Sequence, residues 1–167
     1  MLLLALACSQ APAPVAQPGP LAGDVTAQAW GGPPLDRAQL VVHDAYGGVH
    51  PLEVEVADTP AARTRGMMWR TSVPTGTGML FIFPQEEEHT FWMRNTLVPL
   101  DMLFLDHTGR VVGIVAQAEP QTLDQRTVVK PSLYVLEVAG GWAEKAGAVP
   151  GARVELTGPL AHRPAQH

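Results

Sequence analysis

The stretch "HTFWMRNTLVPLDMLFLD", residues 89–106, is the most apolar part of the predicted folded region, yet polar residues lie at its centre. These are Arg94, Asn95, Thr96 and Asp101. Burying an unpaired polar group costs several kcal/mol, so each of these side chains needs a bonding partner. The partners are either other parts of the chain or a ligand.

The structural interpretation places these residues around a loop. Residues 95–99 link two predicted strands, 90–94 and 102–106. If the strands pair antiparallel, Arg94 and Asp101 lie at the base of the loop, and we expect an ion pair between them. Asn95 and Thr96 then bond to the loop backbone, as in an Asx-type turn.

The functional interpretation uses the same atoms as a binding site. Arg94 offers a fork of donors to an anionic ligand, and Asn95 offers an amide. Small-ligand sites commonly combine a few polar groups of this kind with apolar walls, a role available to two tryptophans. The candidate cluster therefore comprises Arg94, Asn95, Thr96, Asp101, Trp92 and Trp69.

Phenylalanine and methionine are concentrated around this stretch. All four Phe and all five internal Met fall between residues 67 and 104. This concentration predicts that the region supplies the core, with the alternative that part of it lines a pocket. We expect the following side chains to be mostly buried: Phe81, Phe83, Phe91, Met93 and Phe104.

Short, turn-bounded apolar segments predict a mainly β fold. The predicted strands are 39–43, 51–57, 79–83, 90–94, 102–106, 110–115, 133–138 and 152–158. A short helix is expected after Thr59, which can cap it, with Pro60 at its first position and Gly66 at its end. A second is expected over residues 142–146. About eight strands and two short helices indicate a compact β sandwich or barrel.

The N-terminal segment "MLLLALAC" ends at Cys8, the single cysteine of the chain. An apolar segment before a cysteine resembles the end of a bacterial lipoprotein signal peptide, in which that cysteine is lipidated. The segment is short and has no basic start, so we expect a few residues, including a Lys or Arg, to precede Met1. The alternative is a frayed cytosolic terminus. The first interpretation predicts an extracytoplasmic protein of the cell envelope, anchored to the membrane at Cys8.

Residues 9–34 contain ten Pro or Gly among 26 residues. This composition predicts an extended tether that buries little of its surface. A single domain is then expected over residues 35–160, followed by a short tail, 161–167.

The overall charge disfavours a nucleic-acid partner. The formal net charge is -5, and no cluster of Lys or Arg is present. With 46% hydrophobic and 16% charged residues, the chain can bury a core. Nucleic-acid-binding domains usually carry the opposite charge.

Patterns for common catalytic and metal sites are missing from the sequence. There is no GxSxG motif, and the six histidines show no HxH or HExxH spacing. We therefore expect neither a metal nor a cofactor. The remaining enzyme hypothesis is an acid–base pair drawn from Asp101, His89 and Glu137, with Arg94 as electrophile. We favour a non-enzymatic envelope module that binds a small ligand or a protein partner through residues 92–101.

Four ordered motifs resemble a known family: "RGMMWR", "GMLFIFP", "FWMRNTLVPLDMLFLD" and "YVLEVAGGWAEKAG". Together they are similar to the domain of unknown function 192 family over about residues 50–157. The resemblance implies a compact, mainly β, jelly-roll-like sandwich, and family members often follow a signal peptide. It implies no particular activity, because none is established for the family.

Two features depart from the family pattern. Ala139, Gly140 and Gly141 stand where many members have an Asn-Ala-Gly or Pro-Ala-Gly step. The cysteine pair that some members carry before the tyrosine is absent from "QTLDQRTVVKPS". The resemblance therefore implies no disulfide and no cysteine chemistry in this chain.

Overall fold

The computed structural model describes residues 23–158 and residue 160. The predicted signal segment with Cys8, most of the predicted tether and the 161–167 tail lie outside the described residues.

The described chain contains nine strands and two short helices. The strands are β1 (Arg37–His43), β2 (Val49–Ala57), β3 (Thr77–Glu87), β4 (Thr90–Phe91), β5 (Leu100–Leu105), β6 (Val111–Ala118), β7 (Arg126–Thr127), β8 (Ser132–Ala139) and β9 (Arg153–Leu156). The helices are α1 (Pro60–Arg65) and α2 (Trp142–Lys145). The predicted mainly β class is confirmed.

Seven strands form one sheet in the order β6-β5-β8-β3-β2-β1-β9, and β4 pairs with β7 in a small second sheet. All neighbours in the large sheet are antiparallel except β2 and β3. The two edges of this sheet meet, because Val111 N donates to Ala152 O at 2.9 Å and Val154 N donates to Gly109 O at 2.7 Å. The sheet therefore curls into a barrel-like sandwich.

The predicted strand over 90–94 is much shorter than expected. Only Thr90–Phe91 is a strand, because the chain turns immediately afterwards. Thr96 N donates to Met93 O at 3.1 Å, and Asn95 has a left-handed φ of 57°. This turn carries the polar residues away from the base of β5.

Helix α1 has the ends that its sequence predicts. Thr59 Oγ1 accepts a hydrogen bond from Ala62 N at 3.2 Å, and Pro60 occupies the first turn. Gly66 ends the helix with φ of 45°. Its side chains cover the outer face of the sheet, so the helix forms one wall of the space described below.

Strands β5 and β8 and the first half of β3 are buried on both faces. One face joins a core to which all seven strands contribute, with Leu80, Leu136 and Leu103 side by side, so this core fills the curl. The opposite face holds a second core that includes Met79, Phe81, Met102 and Phe104. The second core is covered by α1 and by the segments around Met67 and Met93.

The concentration of Phe and Met forms this second core. Phe81, Met93 and Phe104 are buried, as predicted. Phe83 and Phe91 are more exposed than these three but pack against the core, so they are also mostly buried. Both also border a cavity.

The described part of the predicted tether rests on the domain. Arg65 Nη1 donates to Val25 O at 3.1 Å and to Ala27 O at 2.6 Å, and its guanidinium lies 5.6 Å from the ring of Trp30. Residues 24–30 thus form a docked segment beside α1, in contrast to a tether that makes no contacts.

Truncating a buried and a cavity-lining phenylalanine should have different effects. Phe104→Ala should lower the free energy of unfolding by about 3–5 kcal/mol, because its ring is fully enclosed. Phe83→Ala should cost clearly less, because the cavity already leaves part of its ring without contacts. Urea unfolding of both variants measures the difference, and equal losses would contradict this assignment of the core.

Candidate functional site

A cavity of about 380 Å³ opens between α1, the segment that follows it and the outer face of the large sheet. Its walls combine aromatic and methionine side chains with a similar share of polar ones, including Arg63, Thr64 and Arg65 of α1. The apolar lining comprises Met67, Met68, Phe81, Phe83, Phe91 and Trp92. The volume lies within the roughly 300–1,000 Å³ typical of small-molecule sites.

Glu137 is the buried carboxyl of this cavity. It lies on β8 between Met79 of β3 and Met102 of β5, and only 4% of its surface is exposed. Among the described residues, no hydrogen bond or ion pair reaches its carboxyl group. Its oxygens reach the cavity and are not sealed in the core; the sealed side-chain atoms without a partner in the described chain are Arg126 Nε and Ser132 Oγ. A largely buried carboxyl without a bonded partner lowers stability when it is ionised.

Burial raises the pKa of Glu137 to about 8, against a lowering influence from the charge of Arg70. The influence of Arg70 is limited because its Nη2 forms an ion pair with Glu55 Oε2 at 2.5 Å. The carboxyl is therefore mostly protonated at pH 7 in the empty cavity.

His89 and Arg63 lie around Phe83 in another part of the cavity wall. The ring of His89 stacks on that of Phe83 with centroids 3.5 Å apart, and its Nε2 bonds to Ser132 O at 2.9 Å. Because Ser132 O can only accept, Nε2 carries the proton of the neutral ring. Burial lowers the pKa of His89, so the imidazole is neutral at pH 7.

The predicted ion pair between Arg94 and Asp101 is wrong. Asp101 is fully buried, and its Oδ1 accepts from Gln117 N at 2.7 Å and from Gly141 N at 3.0 Å. Its Oδ2 accepts from Ala143 N at 2.7 Å. Asp101 thus binds backbone amides of β6 and of the start of α2. The turn after β4 directs Arg94 elsewhere, to an exposed position near Asp24.

Asn95 and Trp69 hold the docked N-terminal segment. Trp69 Nε1 donates to Thr26 O at 2.8 Å, and Asn95 Nδ2 donates to the same oxygen at 3.1 Å. The two loops are also joined directly, since Trp69 N donates to Asn95 O at 2.8 Å. Their polar atoms therefore serve the protein's own backbone.

Trp92 and Thr96 lie at the cavity, as the functional interpretation expects of part of the cluster. Trp92 is 50% exposed, whereas Thr96 is buried, and its Oγ donates to Arg94 O at 3.4 Å. The structure therefore distributes the six candidate residues over three places: the cavity, the docked segment and the amides around Asp101.

The sequence predicted a role for Glu137 only within the enzyme alternative, as one possible member of an acid–base pair. The available signal was the segment "SLYVLEVA", in which a single carboxylate interrupts a strand that is otherwise apolar on both faces. A glutamate there has to be either paired or oriented into a cavity, and only the tertiary structure distinguishes the two.

Two wider features of the described chain bear on function. Within residues 23–158 and residue 160, no group of three or more His, Cys, Asp or Glu side chains is arranged to hold a metal ion. In the same part of the chain, no helix has the length and apolarity needed to cross a membrane.

The protein is of the mainly β class, with a barrel-like sheet and a cavity at its side. Its sequence also matches a known family. Residues 41–156 match DUF192, described as "Uncharacterized ACR", and the chain belongs to this family. No protein of curated function matches the sequence.

Two solved structures are similar to this chain. One is a candidate transcription regulator from Sinorhizobium meliloti 1021, with 34% identity over 75% of this chain and 98% of the other, and a TM-score of 0.73. The second is a protein of unknown function from Novosphingobium aromaticivorans DSM 12444, with 37% identity over 72% of this chain and 86% of the other, and a TM-score of 0.70. Both likenesses agree with the fold described above.

Substitutions at Asp101 and Arg94 should lower the free energy of unfolding by different amounts. In Asp101→Asn, the new side-chain NH₂ group faces at least one backbone N–H that donates to the carboxylate in the parent. Two donors then face each other, so the free energy of unfolding should fall by about 1.5–3 kcal/mol. Arg94→Met should change stability by no more than about 0.5 kcal/mol, because the side chain is exposed. Chemical unfolding of both single variants and the double variant measures these costs. Strong coupling between the two positions would restore the ion pair.

The stability of the protein should fall as the pH rises toward 8. Because the folded-state pKa of Glu137 is about 8 and its ordinary value is 4.5, the folded state retains a proton that the unfolded state loses in this interval. The stabilisation is complete below about pH 4.5 and is lost by about pH 8. A shift of this size corresponds to at most roughly 5 kcal/mol.

The isosteric variant Glu137→Gln should remove this part of the pH dependence. Urea unfolding between pH 5 and 8.5 should show the variant gaining stability relative to the parent as the pH rises. Glu144→Gln on α2, where the residue is exposed, is the matched control and should follow the parent. Parallel profiles for the parent and Glu137→Gln would show that the carboxyl is ionised throughout.

Proposed function

We propose that this protein binds a small organic molecule in the cavity beside α1 and is held at the cell envelope by a lipid on Cys8. One observation carries the binding proposal: Glu137 is buried at the cavity with no bond to any described side chain or backbone group. A bound molecule would supply the missing partner.

The composition of the cavity supports binding of a molecule with an apolar body. Aromatic and methionine side chains supply its apolar part, and methionine adapts to ligands of different shape. A few polar groups at fixed positions, above all Glu137 and His89, would orient the ligand. This site includes Trp92 and Thr96 from the region that the sequence indicated, but it extends to β8 and α1.

The enzyme alternative retains one supporting observation, which is that His89 and Glu137 line the same cavity. Perturbed pKa values of two groups in one pocket are typical of catalytic sites. Asp101, however, is engaged by three amides, and Arg94 is exposed, so the acid–base arrangement first considered has lost both of these members. Binding without turnover is the simpler proposal, and mass spectrometry of a bound ligand recovered unchanged distinguishes the two.

The description of the Sinorhizobium relative raises the question of DNA binding. The net charge of -5 and the lack of a Lys or Arg cluster oppose contact with the phosphate backbone. We therefore propose no nucleic-acid partner for this chain.

The docked segment bears on how an anchor would position the cavity. Arg65 lines the cavity and also binds the carbonyls of Val25 and Ala27, so the first described residues of the chain lie beside this site. Cys8 and Asp24 are separated along the sequence by a length of chain that spans at most roughly 55 Å. A lipid on Cys8 would therefore keep the cavity near the membrane surface.

The binding proposal can be tested by NMR of methyl-labelled methionine. Titration with a mixed set of small amines, carboxylates and alcohols should shift the signals of Met67 and Met68, which line the cavity. Phe83→Trp should weaken the shifts by filling part of the space. Leu123→Trp, at an exposed loop position, is the control and should leave them unchanged. Absence of any shift across the set would contradict a ligand cavity.

The anchor can be tested independently. The protein produced in a bacterial host from its natural gene should fractionate with membranes and carry an acylated Cys8, as detected by mass spectrometry. Cys8→Ser should release it to the soluble fraction. An unmodified N-terminus upstream of Cys8 in the parent would refute the anchor without affecting the binding proposal.

A further inference from the structure

We infer that the ligand of this cavity is an organic cation: a protonated amine on an apolar body, with Glu137 as its counter-ion. This inference rests on the proposed binding function and specifies the chemistry of the ligand.

Glu137 has no bonded charge partner among the described residues. The neighbouring positions on both adjacent strands are methionines, and no described residue donates a hydrogen bond to the carboxyl. An ammonium group supplies donors and positive charge together, and charge-assisted hydrogen bonds are the stronger kind. A ligand carboxylate would place a like charge beside the ionised form of Glu137.

The lining also favours a cation. Aromatic rings attract cations through their electron-rich faces, and Phe81, Phe91 and Trp92 line the cavity beside Phe83, whose ring already contacts His89 and Arg63. The fold already shows this attraction within the same wall, where the guanidinium of Arg63 lies 5.4 Å from the centre of the Phe83 ring. Aliphatic or aryl groups of an amine would pack against the methionines.

The protein's own cations make their bonds to other groups. Arg63 Nη1 donates to Asp58 O and Ile82 O, and Arg65 Nη1 donates to the docked segment; these acceptors are neutral carbonyls, so both side chains keep their charge. Arg70 pairs with Glu55 and acts on Glu137 only through its charge, which lowers the pKa of the carboxyl. His89 is neutral at pH 7, because burial lowers its pKa. None of these groups forms an ion pair with Glu137.

Binding of an amine would be coupled to loss of a proton. The ammonium ion enters charged, Glu137 becomes a carboxylate, and its proton passes to the buffer. Because the pKa of Glu137 in the empty cavity is about 8, affinity should rise up to about tenfold per pH unit below 8 and level off above it.

The test is isothermal titration calorimetry of the full chain with three matched probes: 2-phenylethylamine, 2-phenylethanol and 3-phenylpropanoate. At pH 8 the amine should bind at least about tenfold more tightly than the other two, and this preference should disappear in Glu137→Gln. Glu144→Gln is the charge-matched control and should retain it. At pH 7 the heat of amine binding should vary with the ionisation enthalpy of the buffer.

The outcomes separate the inference from the binding function on which it rests. Equal binding of the alcohol, or tighter binding of the carboxylate, would overturn the cation inference and leave the cavity as a ligand site. Amine binding that Glu137→Gln does not weaken would also overturn it. If the whole NMR set gives no methionine shift and no probe gives heat, the binding function fails together with the inference.

Discussion

The constraint on which the structure depends is that β5, β8 and the first half of β3 are buried on both faces. One face fills the curl of the seven-stranded sheet, and the other needs a cover, which α1 and the loops around Met67 and Met93 provide. A short helix and irregular loops cannot cover a curved sheet as completely as a second sheet would. The cavity lies where this cover is incomplete, so the site is a consequence of how the second core is closed.

Glu137 occupies this second face at the centre of the sheet, where its neighbours on both sides are methionines. A Leu or Met at this position would fill the face without the cost of burying a carboxyl. Keeping an unpartnered acid there lowers stability at neutral pH, and such trade-offs are characteristic of binding sites. The raised pKa of Glu137 and the cavity beside it therefore both result from placing a carboxyl group on this face of the sheet.

Asp101 shows the opposite arrangement within the same sheet. Its carboxylate is as deeply buried as that of Glu137, but three backbone amides from β6 and the start of α2 surround it. It joins elements that are far apart in sequence and fixes where the short helix α2 begins. Asn95 and Trp69 likewise connect distant parts of the chain, because both donate a hydrogen bond to the carbonyl of Thr26. Asp101 and Asn95 of the opening stretch thus bond to backbone groups, whereas the cavity combines His89 of that stretch with Glu137 of β8.

The sequence by itself determined the β class, the positions of most strands, the caps of α1 and the region that supplies the second core, because these follow from local periodicity and turn chemistry. It also indicated that Asp101 and Asn95 need partners. Only the tertiary structure decided which partners these are, since the turn at Asn95 separates Arg94 from Asp101 and brings distant amides to the carboxylate. The same holds for Glu137: a carboxylate in an apolar strand has the same sequence pattern whether it is paired or faces a cavity, and the packing of α1 against the sheet decides between them.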